Sequence, residues 1–371
     1  MTDRDFRPET KRIVAAVTAV AATYAYFLLF AQFGFLKALQ IATAGKQEAM
    51  TPILATMGIA GILGSGLAAL AFTATRARRL LIIGFVVCGC AAGLLLAGIS
   101  SGLFFVVAAL IGGGTALVTV TLAGVLWGAL GGWRVGTIIG LGTGLAYGFS
   151  SLPGIFDAAP SLQAQLSLLI AVIGMFAAWG LAPGAGDRKV VAFDYSSRGV
   201  GLWVGLFFVL VWLDSAAFYG FQHAPGIGGE PWAERSPLVL VAAVHLFAAV
   251  LAGVAVDRGW FGRTVAVAAM VLIFAVVGLT NSWLGYRSLA PVYAAAVSIY
   301  SVALVFYAVN SRSASVAATI YAVAGWSGSA LGIGFAEGQA ELRLWIVAVV
   351  AILIATGMAA RGAWRGRPKT D

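Results

Sequence analysis

The sequence predicts an all-α membrane protein with 12 transmembrane helices arranged as two pseudo-symmetric six-helix bundles. Three observations carry that expectation: the length of the apolar runs, the side on which basic residues fall between them, and short patterns that recur half a chain apart. With 61% hydrophobic and 10% charged residues and a mean hydropathy of +0.97, the chain has too little polar surface to solvate a globule of 371 residues. Lipid is the solvent such a composition requires.

A bilayer core needs about 20 apolar residues per helical span. Runs of that length lie near residues 13–36, 49–74, 80–99, 102–130, 134–156, 162–182, 200–221, 237–256, 264–282, 289–309, 314–336 and 343–361. The first begins after Lys11 and Arg12 and resembles a secretory signal at Ala19-Val20-Ala21. It continues through Phe33 to Leu36, longer than a signal's apolar core, so it is read as a retained span.

The basic residues test this assignment. With a cytoplasmic N-terminus, inside segments hold Arg4, Arg7, Lys11, Arg12, Arg76, Arg78, Arg79, Arg134, Arg188, Lys189, Arg198, Arg258, Arg263, Arg312, Arg361, Arg365, Arg367 and Lys369. Outside segments keep Lys37, Lys46, Arg235, Arg287 and Arg343, so the 23 basic residues divide 18 to 5. A miscounted span would scramble the alternation downstream, and both termini are therefore expected in the cytoplasm of a bacterial-type inner membrane. The net charge of +9 sits in hinges rather than on one amphipathic face, which argues against a nucleic-acid partner.

The longest polar internal connection, Pro183 to Arg198, splits the spans six and six. The expected domains are a first bundle over 1–182, a cytoplasmic linker over 183–199 and a second bundle over 200–371. Phe33-Gly34-Phe35 in the first span recurs as Tyr219-Gly220-Phe221 in the seventh, a shift of 186 residues. Gly66 and Arg76 recur as Gly253 and Arg263 at a shift of 187. Near-identical shifts in corresponding spans point to duplication. Gly136, Gly140, Gly144 and Gly148 form a groove down span five, and Gly328 and Gly332 share that spacing in span eleven. Such grooves let backbones pack closely in lipid. Such stripes usually mean packing alone, and their presence in positional equivalents of the two halves is what makes them informative. Cys88 and Cys90 lie on different faces of span three, so neither a disulfide nor a chelating pair follows.

After span eight the chain reads Gly253-Val-Ala-Val-Asp257-Arg258-Gly259-Trp-Phe-Gly262-Arg263. This resembles the Gly-x-x-x-Asp-Arg-x-Gly-Arg signature of the major facilitator superfamily, with two extra residues between Arg258 and Gly262. The family carries its stronger copy between spans two and three. Here that segment keeps Gly66, Arg76, Arg78 and Arg79 but has Leu70 where the Asp belongs. By resemblance, Asp257, Arg258, Arg263 and Arg76 are gating residues that join helix ends across the bundle interface. Span five matches part of the antiporter signature at Gly140 and Gly144, but Leu145 replaces its proline, so antiport is not inferred.

An ionisable group at membrane depth costs about 2.5–3.5 kcal/mol on insertion scales and normally faces the bundle interior. Asp214, two-thirds along span seven, is the leading candidate to bind a proton or a cationic part of a substrate; the alternative is a carboxylate that fixes packing against a Tyr or Trp. His245 in span eight is either a relay or a satisfied interior hydrogen bonder. Tyr293, Tyr300 and Tyr307 recur every seventh residue in span ten, offering hydroxyls and ring faces to a solute, or else anchoring the interfaces with only Tyr300 buried. Gln32 and Tyr24 in span one and Thr115 and Thr119 in span four are lesser polar candidates. Lys37, Lys46 and Glu48, with His223, Glu230, Glu234 and Arg235, are outer loop charges that border a vestibule or simply meet water.

No Gly-Lys-Ser/Thr loop for nucleotide exists, no Met or His pair stands at i, i+4 for copper, and Ser, His and Asp are too dispersed for a hydrolase triad. The expectation is a monomeric, cofactor-free secondary transporter, not an enzyme, moving a small organic solute by alternating access with proton coupling at Asp214. Its rivals are a transporter-shaped sensor or assembly factor without flux, and a lipid flippase.

Overall fold

The computed structural model describes residues 8–98, 102–181, 197–223, 235–280 and 286–337. Eleven helices account for nearly all of them. They are α1 (Thr10–Ala42), α2 (Gln47–Ala71), α3 (Ala77–Leu96), α4 (Leu103–Leu130), α5 (Val135–Ser150) and α6 (Pro160–Gly180). Then follow α7 (Ser197–His223), α8 (Arg235–Asp257), α9 (Phe261–Thr280), α10 (Tyr286–Asn310) and α11, which starts at Ala314 and ends at Glu337. Ten are long and apolar enough to cross a membrane. The chain is a multi-pass membrane protein. The twelfth expected span at 343–361, both termini and residues 183–196 of the expected linker lie outside the described residues. The last linker positions, 197–199, already belong to α7.

One boundary differs markedly from expectation. The fifth span, read as 134–156, ends as a helix at Ser150. Pro153 withholds a helix donor and Gly154 takes a positive φ of 82°, so the chain turns through 151–157 instead. At 16 residues α5 is about 24 Å long, shorter than a bilayer core of about 30 Å.

Burial follows the logic of a lipid solvent. On α8, Val239, Leu240, Phe247 and Leu251 are exposed, whereas Ala242, Ala249 and Ala252 are buried. Large apolar side chains dissolve in the acyl chains while small ones permit close helix contact. Cys88 is buried and Cys90 exposed, both as free thiols.

Packing repeats across the two halves of the sequence. α2 packs on α4 as α8 packs on α10, α3 on α4 as α9 on α10, and α1 on α5 as α7 on α11. Between the halves, α5 runs against α8 and α2 against α11. The glycine stripe of α5 builds the first of these contacts. A Cβ at Gly140 would lie 2.3 Å from the Ala249 carbonyl oxygen, and one at Gly253 would lie 2.3 Å from that of Gly136.

The stripe in α11 packs within its own half. Gly328 meets Phe208 and Val211, and Gly332 meets Trp212 and Ser215, all on α7. The half-chain shift of 186 explains the difference, because it relates Gly328 to Gly142, and Gly142 likewise packs on Val17 and Val20 of α1. The counterpart of Gly140 is Trp326, whose ring lies against Gly61 of α2. One cross-half seam is therefore backbone on backbone, and the other is an indole on a glycine. The Gly66–Gly253 echo is also unequal: Gly253 is in tight contact, whereas nothing lies within 4 Å of a Cβ at Gly66.

Both α1 and α11 contain a π-helical stretch, Phe27–Gly34 and Ile320–Ser327. Wider turns of this kind shift the face that side chains present and are frequent at functional sites. Phe27 meets Trp326 edge-on between them, with ring centroids 6.1 Å apart.

Candidate functional site

The tight turn between α4 and α5 leaves backbone donors free. Gly131 and Gly132 have φ of 58° and 77°, and Arg134, which precedes α5, has φ of 43° and offers no side-chain cap. The first N–H groups of a helix have no partner within it. Asp257, the last residue of α8, supplies one: its carboxylate accepts from Gly136 N, Thr137 N and Thr137 Oγ1, each at 2.7 Å. A carboxylate at a helix N-terminus is stabilised by both the hydrogen bonds and the helix dipole.

The other expected gating residues do not cross between the halves. Arg258 lies over the Trp260 ring of its own turn at 5.9 Å. Arg263 and Arg76 are exposed, and the backbone N–H of Arg76 donates to Thr73 Oγ1. A second cross-half contact on this face was not anticipated: the Arg312 guanidinium, after α10, sits 4.9 Å from the Trp127 ring of α4.

α11 needs no distant carboxylate. Its N-terminus is capped by its own Ser313, whose Oγ accepts from Val316 N at 3.3 Å. In the register set by Gly142 and Gly328, residues 136–137 correspond to 322–323, two turns inside α11. Backbone donors there are already used within the helix. Leu70 stands where an acid would find no N–H to accept from.

Asp214 of α7 meets α10 of the same half. Tyr300 of α10 donates to its Oδ2 at 2.5 Å, and Tyr293, one heptad earlier, donates to its Oδ1. Seven residues are about 10.5 Å along a helix, so the two phenols converge on the carboxylate from either side along the helix axis. Asp214 retains partial exposure, while Tyr293 and Tyr300 are each 4% exposed. Tyr307 takes no part and is fully buried among Trp203, Phe207 and Phe261. The alternative in which only Tyr300 is buried is thus corrected.

Tyr147 of α5 joins this layer at Ser301, the neighbour of Tyr300 on α10. Its hydroxyl lies 3.1 Å from Ser301 Oγ of α10, and its ring packs on His245 of α8 with centroids 5.0 Å apart. His245 Nδ1 is 2.7 Å from Ser298 Oγ. Beside this layer, Tyr24 of α1 and Tyr321 of α11 bring their hydroxyls within 3.3 Å. Tyr147 was missed in the sequence, where one more tyrosine in a glycine-rich span carries no signal of its position. The seven-residue spacing of Tyr293 and Tyr300 was the signal that succeeded.

The lesser candidates separate. Thr119 bonds its own helix, at 2.9 Å from the Thr115 carbonyl, and Thr115 lies beside Cys88 of α3, so both belong to packing within the first half. Gln32 sits half-buried in the π-helical stretch of α1. Lys37 donates to the Phe156 carbonyl at 2.7 Å, while Lys46 and Glu48 are exposed. Of the second group, Glu230 and Glu234 and the side chains of His223 and Arg235 fall outside the described residues. No cluster of three metal-ligating side chains occurs among the described residues.

Comparison with solved structures finds the same fold of repeated helix pairs in another protein. The human organic anion transporter MFSD10 (TETRAN) superposes with a TM-score of 0.63, covering 95% of this chain and 99% of that one at 13% sequence identity. No family model matches the sequence, and no curated protein matches it.

Proposed function

We propose that the chain is a secondary active transporter that moves a small organic solute across a bacterial-type inner membrane, with proton coupling at Asp214. Transport would proceed by alternating access between two six-helix bundles, 1–182 and 200–371, with both termini cytoplasmic. The observation that carries this reading is a carboxyl group on α7 held by Tyr293 and Tyr300 of α10, next to the Ser301 that bonds Tyr147 of the first half, with no basic side chain against it among the described residues. A buried acid without a counter-ion is costly when ionised, so its protonation follows whichever side of the membrane it faces.

The cross-half contacts suit one end-state of such a cycle. Asp257 on α5 and Arg312 on Trp127 both hold the face that carries the 4–5, 8–9 and 10–11 connections, the basic face expected to be cytoplasmic. A closed cytoplasmic side corresponds to an outward-facing carrier. Opening that side requires Asp257 to leave the α5 N-terminus, which places Asp257 at the gate; Arg258, Arg263 and Arg76 then serve as headgroup-facing charges of the same loops. The protein works without a cofactor, as a monomer, and performs no chemical conversion.

The test is reconstitution of the full chain in liposomes with a pH-sensitive dye inside. Solute-dependent proton flux in the wild type and its loss in Asp214→Asn support the reading. Unchanged pH dependence in Asp214→Asn removes the coupling role. Capture of a stoichiometric partner with no flux for any solute would favour an assembly factor instead.

A further inference from the structure

We infer that the ligand of the Asp214 site is a monovalent organic cation with an aromatic or aliphatic body, which displaces the Asp214 proton one for one. This rests on the reading of Asp214 as the coupling group.

The charge inventory comes first. Across the whole sequence, no Lys or Arg falls in the middle third of any expected span, and Asp214 is the one acid that does. The side chains bonded to it in the described structure are both phenols, Tyr293 and Tyr300 on α10; Tyr147 of α5 bonds the adjoining Ser301, and His245 of α8 packs behind Tyr147. An organic anion would meet a carboxylate and no fixed positive charge. The site's chemistry therefore differs from the cargo named for the human neighbour of the same fold.

The geometry comes second. A carboxylate has about four lone-pair positions, and the two phenols occupy two. They orient the group without neutralising it, leaving acceptor capacity on a side chain that is still partly exposed. Tyr147, bonded to Ser301 beside Tyr300, is also partly exposed, so a further phenol adjoins the site. Ring faces attract organic cations, most strongly where water is excluded. A bare sodium or magnesium ion would want a shell of about six oxygens, which one carboxylate and scattered phenols supply poorly.

Mutual exclusion follows from charge. With the cation absent, the interior acid is stable as the carboxylic acid. Entry of the cation leaves the carboxylate as its counter-ion, and the O–H proton departs to solvent. No other group changes its bonding. The outcome is proton release on binding, and exchange when the two occupants leave on opposite sides.

Tetraphenylphosphonium is a suitable probe, titrated calorimetrically into the purified full-length protein in detergent. The expected result is saturable binding with about one proton released per cation, read from buffers of different ionisation heat, and an affinity falling about tenfold for each pH unit on the acid side. Asp214→Asn should weaken binding about tenfold or more while keeping the wild-type elution profile and melting temperature. Asp214→Glu should retain the proton release. Binding that is independent of pH, survives Asp214→Asn, or is displaced by millimolar sodium overturns the proposal, as does preference for an anionic dye. Acid–base titration of the unliganded protein separates the two ideas. If wild type and Asp214→Asn differ by one proton yet tetraphenylphosphonium does not bind, the coupling reading stands and the cation inference falls.

Discussion

Asp257 and Thr137 lie 120 positions apart in the chain, yet one carboxylate oxygen of the first accepts both the backbone N–H and the hydroxyl of the second at 2.7 Å. This pair, with Gly136 on the other oxygen, ties the end of α8 to the start of α5. Hydrogen bonds to a charged acceptor contribute about 1.5–3 kcal/mol each where they are not matched by water. Asp257→Asn removes the charge and one acceptor oxygen, and should raise the population open at the basic face about tenfold. Thr137→Val keeps both backbone donors and should change it by less. A cysteine at Ser301, in a background lacking Cys88 and Cys90, reports the difference as its labelling rate by an impermeant reagent added from the basic side. Equal rates in Asp257→Asn and wild type would show that the latch does not hold that face.

Restoring the apparently missing acid should not restore a second latch. An aspartate at Leu70 would approach the stretch of α11 around residues 322–323, where backbone donors bond within the helix and Ser313 already caps the true N-terminus. Leu70 itself is 86% exposed. Leu70→Asp is expected to lower the melting temperature in detergent, or leave it unchanged, with no slowing of Ser301 labelling. A stabilised, slower-labelling variant would mean the register between α2 and α11 differs from that set by Gly142 and Gly328.

The positions of the eleven described helices and their repeated pairing were legible in the sequence because lipid imposes length strongly on every span. Asp214 stood out in the sequence as an acid in hydrocarbon, and the structure shows it bonded to Tyr293 and Tyr300. The partner of Asp257 was not, because it is two backbone N–H groups freed by a left-handed Arg134, and free backbone donors leave no residue-type signature. Thr119 misled because a hydroxyl in a membrane helix is satisfied by its own preceding turn as easily as by a ligand. The α11 glycines left their partner open because their spacing marks a close approach without saying to which neighbour.

Substitutions along the α5 groove should grade with the space available. A Cβ at Gly140 meets the Ala249 carbonyl oxygen at 2.3 Å, whereas at Gly148 its nearest contact is the Ala242 carbonyl oxygen at 3.1 Å. Gly140→Ala must separate two backbones, and overpacking of this kind costs about 1–3 kcal/mol. Gly148→Ala needs a shift of a few tenths of an ångström and should be nearly neutral. Thermal melting in detergent ranks them, and an equal effect of the two would contradict the graded fit of α5 on α8.

The opposite seam predicts a non-additive pair. A Cβ at Gly61 would lie 2.2 Å from the Trp326 ring, so Gly61→Ala alone forces the indole from its place between Gly61 and Phe27. Trp326→Leu alone leaves a void and loses the edge-on contact with Phe27. Combined, the smaller side chain makes room for the added methyl, and the double variant should melt above the temperature expected from adding the two single losses. Additive losses would show that Gly61 and Trp326 do not touch in the folded protein.

Tyr147 separates packing from coupling. Its hydroxyl reaches Ser301 on α10 from the first half of the chain, while its ring packs on His245. Tyr147→Phe keeps the ring contact and loses only the hydroxyl bond, and interhelical hydrogen bonds in membranes average about 0.6 kcal/mol. Stability should therefore fall by no more than about a degree or two in melting temperature. Its partner Ser301 adjoins Tyr300, which donates to Asp214, so loss of the hydroxyl loosens the segment that holds the carboxylate. The pH midpoint of solute-driven proton flux should shift in Tyr147→Phe, whereas His245→Gln, which changes a ring bonded to Ser298 and not to the acid, should leave that midpoint in place. A shift in His245→Gln with none in Tyr147→Phe would move the proton path from the α5–α10 contact to the α8–α10 contact.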